Sequence, residues 1–520
     1  MKYSPDSDGQ KAQDHASDFK HARPSIERQQ STAADELLDI LGYQSELTRS
    51  RSTLTVAFMS FVLASVPYGL STTLYYPLVA GGPVNIIWGW VTVCAIVMCL
   101  AISLAEITSV YPTAGGVYYQ TFMLAPHKYR NIMAWLCGWA YFLGNLMITL
   151  AVNFGTTLLI VGCVNVFTDS EGNGIWDAKN YHYYLTFAIF WTFSGVIAII
   201  VCALAIAKEG RHNASYVFGS FENSSGWPDG WAFFIGLLHG AYATSGTGMI
   251  LSMCEEVREP ATQVPKAMTR ALVMNFLCGF IFLVPLVFVL PDIATILASP
   301  YAQPLPVILS SAVGNQAGAF ALTIPIMVLG ILCGTCCTTA SSRCAWAFAR
   351  DNAIPGSGWW KIVNKKLDVP LNAMMMIMVA ELLLGLIWFG STAAFNAFSG
   401  CGVIFLTIAY VMPIIMSVLR NRRDLKNGCY DFKMFGWICN IVSIAWSLLV
   451  TPLFSMPAVI PINSQTMNYA SVVFAGGMLI SLLWYFIWGA KNYKGPPAKD
   501  EDEIVRRRSS LIEYRHSFSE

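Results

Sequence analysis

Apolar runs long enough to cross a lipid bilayer recur along most of the chain, and this pattern limits its fold more than any other feature. A helix that crosses a bilayer needs roughly twenty consecutive apolar residues. Such runs lie at 54–79, 84–107, 132–167, 183–207, 231–253, 268–290, 319–349, 371–392, 396–419, 435–457 and 470–490. Because unpaired backbone groups are not tolerated in lipid, these runs must be helical. The sequence therefore predicts an all-α polytopic membrane protein with about eleven spans.

The composition excludes several other classes of protein. Hydrophobic residues make up 55% of the chain and charged residues 12%, whereas a soluble domain has roughly 25% charged residues. The formal net charge is +1 and the basic residues lie in loops and tails, so we predict no nucleic-acid partner. Most cysteines fall inside apolar runs and lack the spacing of metal ligands. We predict no disulfide framework, no metal site and no cofactor.

Small and ring residues interrupt two of these runs at matching places. The first interruption is Ser65-Val66-Pro67-Tyr68-Gly69, and the second runs from Gly240 to Gly248 and includes Tyr242, Ala243, Thr244, Ser245 and Gly246. Non-helical backbone at bilayer depth is tolerated where it lines a cavity or a protein interior, and paired breaks are typical of transporter binding sites. The alternative is a pair of packing kinks, because Gly and Pro are common in membrane helices. We predict that residues Ser65 to Gly69 and Tyr242 to Gly246 line a substrate site.

The residue types at the breaks indicate two kinds of ligand. Unpaired N–H groups near the first break would bind a carboxylate. Free carbonyls and the rings of Tyr68 and Tyr242 would instead attract an amine or a quaternary ammonium, an effect of about 0.5–2 kcal/mol per ring. Pro67 removes one N–H donor. This favours a cationic amine such as choline, or an ω-amino acid such as GABA, over an α-amino acid.

Ionisable residues at bilayer depth are few, and each is a candidate for gating or coupling. His239 precedes the second break, where it is predicted to take part in proton coupling or to bond a neighbouring carbonyl. Glu106 has either a gating role or the role of an arginine-paired loop anchor. Glu255, Glu256 and Glu259 are predicted to pair with Arg258, Lys266 or Arg343 and to hold an inner gate closed. The alternative for them is a solvated loop with weak surface pairs.

Three further polar residues fall inside apolar runs. Glu381 is predicted to be a hydrogen-bonding residue in helix packing. Asn145 and Asn153 lie eight residues apart on one helical face, where they line the pathway or pack against another helix. Residues 35–41 predict a short amphipathic helix on the membrane surface, with a disordered tail as the alternative.

The basic loops predict the orientation of the spans. Loops 258–270, 350–366 and 420–423 and the tail around 506–508 are assigned to the cytoplasm, which places 208–230 and its two glycosylation sequons outside. Counting forward from a cytoplasmic N-terminus also places loop 169–177 outside. Both counts put the two ends of span 183–207 on one face, which a single crossing helix cannot satisfy. Either a helix is missing, or 183–207 is re-entrant, or 132–167 crosses twice.

Four motifs carry a family resemblance. They are the run from Ala101 to Gly116, the run Glu255-Glu256-Val257-Arg258-Glu259-Pro260 with Val264-Pro265-Lys266-Ala267, the run from Ser342 to Asn352, and Val369-Pro370-Leu371-Asn372-Ala373. The chain resembles fungal amino acid/choline (GABA) permeases of the amino acid–polyamine–organocation superfamily. The resemblance implies twelve spans, of which the first ten form two inverted five-helix repeats with discontinuous first and sixth helices. The fourth span of that pattern is missing here.

The resemblance also implies a division of the chain. We expect a cytoplasmic tail at 1–52, an incomplete first repeat at 53–207, an extracellular loop at 208–230, a second repeat at 231–420, two additional spans at 421–490 and a cytoplasmic tail at 491–520. The basic run before Ser509 and Ser510 is a phosphorylation site for a regulatory kinase or an inert tail. The N-terminal lysines are candidate sites for the ubiquitin machinery.

These features together predict a transporter rather than an enzyme, because no nucleophiles, metal ligands or carboxylates cluster at bilayer depth. We expect a multi-pass plasma-membrane symporter, with both termini cytoplasmic, that imports choline or a related amine or amino acid with protons. GABA, polyamines or general amino acids are the alternative substrates. The alternative of another class is a non-transporting nutrient sensor or an incomplete, inactive gene product.

Overall fold

The computed structural model describes residues 34–49, 51, 53–164, 211–298, 303–389, 394–463 and 467–497, and these ranges form helices and loops without a β-strand. The α-helices are α1 (Thr53–Ala64), α2 (Val66–Thr72), α3 (Tyr75–Val110), α4 (Gly116–Leu124), α5 (Arg130–Val164), α6 (Ala214–Gly219), α7 (Asp229–Gly236), α8 (Leu238–Thr244), α9 (Pro260–Phe288), α10 (Ile293–Leu297), α11 (Pro304–Val313), α12 (Gln316–Arg350), α13 (Ser357–Trp360), α14 (Leu371–Gly385), α15 (Ala394–Leu419), α16 (Lys433–Leu453), α17 (Ala470–Trp484) and α18 (Ala490–Asn492). The 3₁₀ helices are Ser245–Glu256, Leu386–Phe389 and Arg423–Asn427, and a π-helical turn spans Tyr485–Gly489.

Within the described ranges, eight helical stretches are long and apolar enough to cross a membrane. They are Thr55–Thr72, Tyr75–Val110, Arg130–Val164, Pro260–Phe288, Gln316–Arg350, Ala397–Leu419, Lys433–Leu453 and Ala470–Asn492. The apolar helices α11 and α14 are shorter, and α7, α8 and the 3₁₀ helix together replace the predicted span 231–253. The chain is thus a polytopic helical membrane protein, as predicted. Span 183–207 lies outside the described residues, and so does the region in which a fourth span is predicted to be missing.

Helix α5 settles one of the alternatives for the region 132–167. It runs for 35 residues without interruption, so a tight turn at Asn145 or Asn153 is wrong. At 1.5 Å per residue such a helix is about 52 Å long, well beyond the roughly 30 Å of a hydrocarbon core. The extra length tilts the helix or extends it beyond the bilayer.

The loops of the described chain gather at two faces. One face, called here the basic face, is formed by residues 34–49, 51, 111–130, 255–260, 350–370, 420–433 and 489–497, which hydrogen-bond or pack against one another. The opposite face is formed by residues 80–84, 211–230, 293–297 and 456–460. The predicted basic loops of the described chain therefore share one face, and the predicted loop 208–230 lies at the other in its described part.

The N-terminal segment (residues 34–51) packs on the protein rather than on the membrane surface. Residues 34–40 form a helix, and Leu38 and Leu41 are buried in the main hydrophobic core. The hydroxyl of Tyr119 on α4 donates to the carbonyl oxygen of Leu41 at 2.9 Å. The prediction of an amphipathic helix is correct. The location predicted for it is wrong, because its apolar side packs against the hydrophobic core of the protein.

Several short helices of the fold were not predicted. Helix α4 is an example, since its nine residues are too few to give an apolar run of membrane length. Helix α11 has local signals that mark its ends. Pro304 begins it, where the missing N–H costs nothing, and Gly314 ends it with a φ of 67°.

Candidate functional site

The first break is a single residue. Ser65 has φ 41° and ψ 51°, a left-handed conformation that is uncommon outside glycine, and it separates α1 from α2. The predicted break residues Val66, Pro67, Tyr68 and Gly69 are helical, which corrects the expectation of an unwound stretch. Pro67 lies in the first turn of α2, where N–H groups have no intrahelical partner, so the helix restarts around proline without loss.

The expected cluster of unpaired N–H groups is largely absent from this break. The amides of Tyr68 and Gly69 both donate to the carbonyl oxygen of Ser65, at 2.9 and 3.0 Å, and Pro67 has no N–H. Helix α12 covers the break, because the Cys333 thiol donates to the carbonyl oxygen of Leu63 at 3.6 Å. This geometry offers little to a carboxylate.

The second break is a change of helix type. Helix α8 ends at Thr244 and continues as the 3₁₀ helix Ser245–Glu256, a length of 12 residues where three or four are usual. The predicted site residues Tyr242, Ala243 and Thr244 are therefore α-helical, and the change begins at Ser245.

Tyrosines from two other helices bond the carbonyls of this 3₁₀ helix. Tyr410 on α15 donates its hydroxyl to the Ser245 oxygen at 3.1 Å, and Tyr141 on α5 donates to the Gly248 oxygen at 3.2 Å. Both tyrosines are buried. Neutral donors thus satisfy irregular backbone at depth, as a low-dielectric interior requires.

The two breaks contact each other through small residues. A Cβ atom added to Gly69 would lie 3.2 Å from both Cα and Cβ of Ala243, and one added to Gly246 would lie 2.8 Å from the Leu63 carbonyl oxygen. A backbone oxygen cannot yield as a flexible side chain does. Glycine at position 246 therefore permits the close approach of the two broken helices.

His239 joins the two broken helices by a hydrogen bond. Its Nε2 lies 2.9 Å from the carbonyl oxygen of Leu70, near the C-terminal end of α2, and the side chain is buried. This is the neighbouring-carbonyl contact expected as one of the two alternatives. A proton on Nε2 is required for it, since a carbonyl oxygen only accepts.

Three tyrosines surround the breaks. The Tyr68 hydroxyl donates to the carbonyl oxygen of Val152 on α5 at 2.6 Å. Tyr242 is buried, and its hydroxyl has no hydrogen-bond partner within the described ranges. Tyr68 and Tyr76 are among the groups that interact electrostatically with Tyr242. A buried hydroxyl without a partner is costly, so this group is a candidate contact for a polar ligand.

A small cavity lies beside the second break. It has a volume of about 20 Å³ and is lined by Ala241, Thr244, Ser245, Thr247 and Gly248, together with residues of α3, α15 and α16. This volume is enough for about one water molecule. The helices must separate here for a larger ligand to enter.

An ion-pair network closes the basic face below the breaks. Glu256 accepts from Nε of Arg51 at 2.6 Å and from Nε of Arg343 at 2.7 Å, and both Glu256 and Arg343 are buried. Glu255 binds both terminal nitrogens of Arg350, at 2.8 and 2.9 Å, and also accepts from the Ala114 amide. The pairing of Glu256 with Arg343 is the predicted one. The alternative of a solvated loop is wrong for these two glutamates.

Two arginines of this network were not predicted from the sequence, although the position of each in the chain could have drawn attention to it. Arg350 lies within the run from Ser342 to Asn352 that carries the family resemblance, and Arg51 lies three residues before the first apolar run. Spacing along the chain gave no indication that these residues meet Glu255 and Glu256. Their meeting depends on the packing of α1, α12 and the 3₁₀ helix.

Asp351 ties the N-terminal segment to this network. It accepts from the hydroxyls of Tyr43, at 2.9 Å, and Tyr118, at 2.8 Å. The guanidinium of Arg350 lies 3.9 Å from the centre of the Tyr43 ring, in cation–π geometry. Asp351 follows the last residue of the span Gln316–Arg350, and burial raises the pKa of its carboxyl to about 6.

Glu106 lies in a separate cluster on the basic face. Its Oε1 accepts from Arg422 at 2.5 Å and from the Phe432 amide at 2.8 Å, and its side chain is fully buried. Arg422 also donates to the carbonyl oxygen of Lys433 at 2.8 Å. These contacts fix the loop between α15 and α16, which is the arginine-paired loop anchor expected as one of two alternatives.

Comparison with known proteins gives consistent results. A family model described as amino acid permease matches residues 189–479. A choline transporter of Saccharomyces cerevisiae is 29% identical over 497 residues, covering 91% of this chain and 86% of that protein. An uncharacterized amino-acid permease of Schizosaccharomyces pombe is 30% identical over 488 residues, covering 90% of each chain. A polyamine transporter of Saccharomyces cerevisiae is 28% identical over 493 residues, covering 90% of this chain and 78% of that protein.

These matches confirm the resemblance drawn from the four motifs. The family model covers more than half of the chain, and the relatives align along about nine tenths of it. The polytopic helical fold is consistent with a permease of this kind. The chain therefore belongs to the amino acid permease family.

Proposed function

We propose that the protein is a secondary active transporter that imports choline or a related small amine across the plasma membrane, driven by the proton gradient. The relatives support a substrate of the amine or amino acid class, since they include a choline transporter, amino-acid permeases and a polyamine transporter. No step of this function requires catalysis of a covalent reaction.

The Tyr242 hydroxyl, which is buried without a hydrogen-bond partner in the described ranges, is the observation that carries the choice of choline, an amine with a hydroxyl. It lies buried at the breaks together with Tyr68 and Tyr76, whose neutral rings suit an ammonium group. Choline has both a quaternary ammonium for the rings and a hydroxyl for the free Tyr242 oxygen. The amides of Tyr68 and Gly69 already donate to the Ser65 carbonyl oxygen, so the geometry favours choline over an α-amino acid.

Transport follows from the arrangement of the two faces. The basic face is assigned to the cytoplasm, because Lys and Arg are enriched in cytoplasmic loops. Substrate enters from the opposite face and settles between the two breaks. The pairs of Glu255 and Glu256 act as the inner gate, and they separate when one group of helices rocks against the other.

Uptake of labelled choline in a yeast host without its own amine permeases tests the proposal. Unlabelled GABA, ethanolamine, polyamines and amino acids serve as competitors and rank the alternative substrates. We expect saturable uptake of labelled choline. Among the unlabelled competitors, ethanolamine is expected to inhibit it most strongly. An absence of uptake with the protein at the cell surface would contradict transport and favour a nutrient sensor.

Substitution of Tyr242 tests the binding site itself. Tyr242→Phe keeps the ring and loses the hydroxyl, while Tyr242→Leu loses both. We expect KM for choline to rise in the order wild type, Phe, Leu, with the ring contributing roughly 2- to 30-fold. Tyr129→Phe, at an exposed tyrosine, is the matched control. Equal KM values for all four proteins would contradict the assignment of this site.

A further inference from the structure

Glu381 is a carboxyl group at membrane depth that the ion-pair networks do not use. It lies on α14, whose outer side is apolar, with Met378, Leu382 and Leu383 exposed. Glu381 itself is only 9% exposed. The residue therefore points away from the lipid-facing side and into the helix bundle.

The surroundings of Glu381 are almost free of charge in the described ranges. Asn153 on α5 donates its amide to Oε2 at 2.9 Å, while Oε1 is buried without a hydrogen-bond partner there. Helix α12 contributes the thiol of Cys337, which interacts electrostatically with the carboxyl. Helix α13 also packs on α14 and contains no titratable side chain. Among described Lys, Arg and His side chains, none forms an ion pair with Glu381.

Asn153 connects this carboxyl to the first break. The preceding residue, Val152, accepts the hydroxyl of Tyr68 at 2.6 Å, and Thr156, one turn later, donates to the same hydroxyl oxygen at 3.0 Å. A Cβ atom added to Gly334 on α12 would lie 2.6 Å from the amide oxygen of Asn153. One turn of α5 thus contacts both Glu381 and the tyrosine at the binding site.

We propose that Glu381 binds and releases the proton that is coupled to transport. This inference rests on the proposed function. A hydronium ion from the outer side gives its proton to the Glu381 carboxylate, which forms a neutral carboxylic acid and one water molecule. When the protein opens to the cytoplasm, the acid returns the proton to a water molecule on that side. Asn153 is the side chain of the described ranges that hydrogen-bonds the buried carboxyl.

The physical reason for coupling is the cost of a lone charge at depth. A carboxylate without a partner charge is strongly disfavoured where water is excluded, and the neutral acid is not. The closed arrangement around the breaks therefore requires the protonated form. Loss of the proton requires hydration of Oε1, which moves α14 away from α5 and, through Asn153, disturbs the turn that holds Tyr68.

A comparison of net uptake with exchange in the full-length protein tests the inference. Labelled choline uptake is measured in yeast cells from acidic to neutral external pH, with and without a protonophore, and exchange is measured by counterflow in vesicles with equal pH on both sides. Glu381→Gln keeps an acceptor for Asn153 but cannot ionise. We expect its counterflow to stay within about twofold of wild type, while its pH dependence and its accumulation against a gradient are lost.

Three companion variants complete the experiment. Glu381→Asp keeps a carboxyl and is expected to keep a pH-dependent uptake, even if Gln at this position prevents correct folding. Asn153→Ala is expected to move the midpoint of the pH profile. Glu36→Gln, at an exposed carboxyl on the basic face, is the matched control and is expected to behave as wild type.

The outcomes separate this inference from the proposed function. A Glu381→Gln protein with the wild-type pH profile and wild-type accumulation overturns the inference and leaves transport standing. If uptake by the wild type depends neither on pH nor on the protonophore, the inference about Glu381 is also overturned, while choline transport itself still stands. An absence of uptake and counterflow in the wild type at the cell surface overturns the proposed function and this inference together.

Discussion

The region of the two breaks, called here the midplane region, and the network on the basic face hold helices together in opposite ways. At the breaks, small residues bring backbones into contact, and Tyr141, Tyr410 and His239 bond carbonyl oxygens without an ion pair. On the basic face, buried carboxylates are paired with arginines, as in the contacts of Glu256. The two regions lie on the same 3₁₀ helix, Ser245–Glu256.

The difference follows from the cost of charge. An unpaired charge is expensive where water is absent, so irregular backbone at depth is satisfied by neutral donors. Near the loops, charges are paired at close range, and under the proposed function each pair must break before this face opens. The midplane region is therefore suited to bind an uncharged or cationic ligand, and the basic face is suited to act as a latch.

The largest expected effect is steric and belongs to the midplane. Gly246→Leu places a side chain against the Leu63 carbonyl, 2.8 Å from the added Cβ, and neither backbone can move aside. We expect choline uptake to fall more than tenfold with the protein still at the cell surface. Gly476→Leu is the matched control, because nothing lies within 4 Å of a Cβ at that glycine. Normal uptake by Gly246→Leu would remove this contact from the site.

The next effect belongs to the basic face. Glu256→Gln leaves Arg51 and Arg343 without their shared carboxylate, and breaking a buried pair costs about 3–5 kcal/mol. We expect a lower unfolding temperature in detergent and faster labelling of the buried Cys254 thiol. Asp424→Asn disrupts a partly exposed pair with Arg420, which contributes only about 0.3–0.5 kcal/mol, and it serves as the control. Unchanged labelling would contradict the assignment of a gate.

A third effect is a pH dependence of stability at Asp351. The pKa of this carboxyl is 3.8 ordinarily and about 6 in the fold, so between these values the folded protein holds a proton that the unfolded chain has lost. The free energy of unfolding therefore falls as pH rises from about 4 to 6, by about 3 kcal/mol, at about 1.36 kcal/mol per pKa unit. The Asp351→Asn variant is expected to lack this pH dependence of the free energy of unfolding, because asparagine does not bind a proton in this range.

Unfolding temperatures of wild type and Asp351→Asn between pH 4 and 8 measure the effect. The two curves should differ most in slope between pH 4 and 6 and run parallel above that range. Curves that stay parallel over the whole range would show that Asp351 does not titrate in this window.

The smallest expected effect returns to the midplane. His239→Ala leaves the Leu70 carbonyl without its partner, a loss of about 1 kcal/mol for one neutral hydrogen bond. We expect choline uptake to fall several-fold at every pH, with the shape of the pH profile unchanged, because Glu381 is proposed to carry the proton. A flat pH profile for His239→Ala would instead assign the coupling role to His239.

Helical spans and the places of the breaks could be predicted from the sequence, because both depend on local composition. Apolar runs located the described spans, and Gly, Ser and Pro near Ser65 and Ser245 marked the two interruptions. The extent of each break was not predictable, since Val66 to Gly69 return to a helix as soon as Ser65 has turned the chain. Propensity alone gives no account of where a packed neighbour allows a helix to restart.

The sequence by itself determined that this chain crosses a membrane as helices, that two of its spans are interrupted, and that Glu256 has Arg343 as a candidate partner. These conclusions need only hydrophobicity, backbone geometry and charge. Only the tertiary structure decided that Gly246 meets Leu63, that Arg51 and Arg350 complete the ion-pair network, and that Glu381 faces Asn153. Such contacts join residues far apart in the chain, and their partners are set by how the helices pack, which no local pattern encodes.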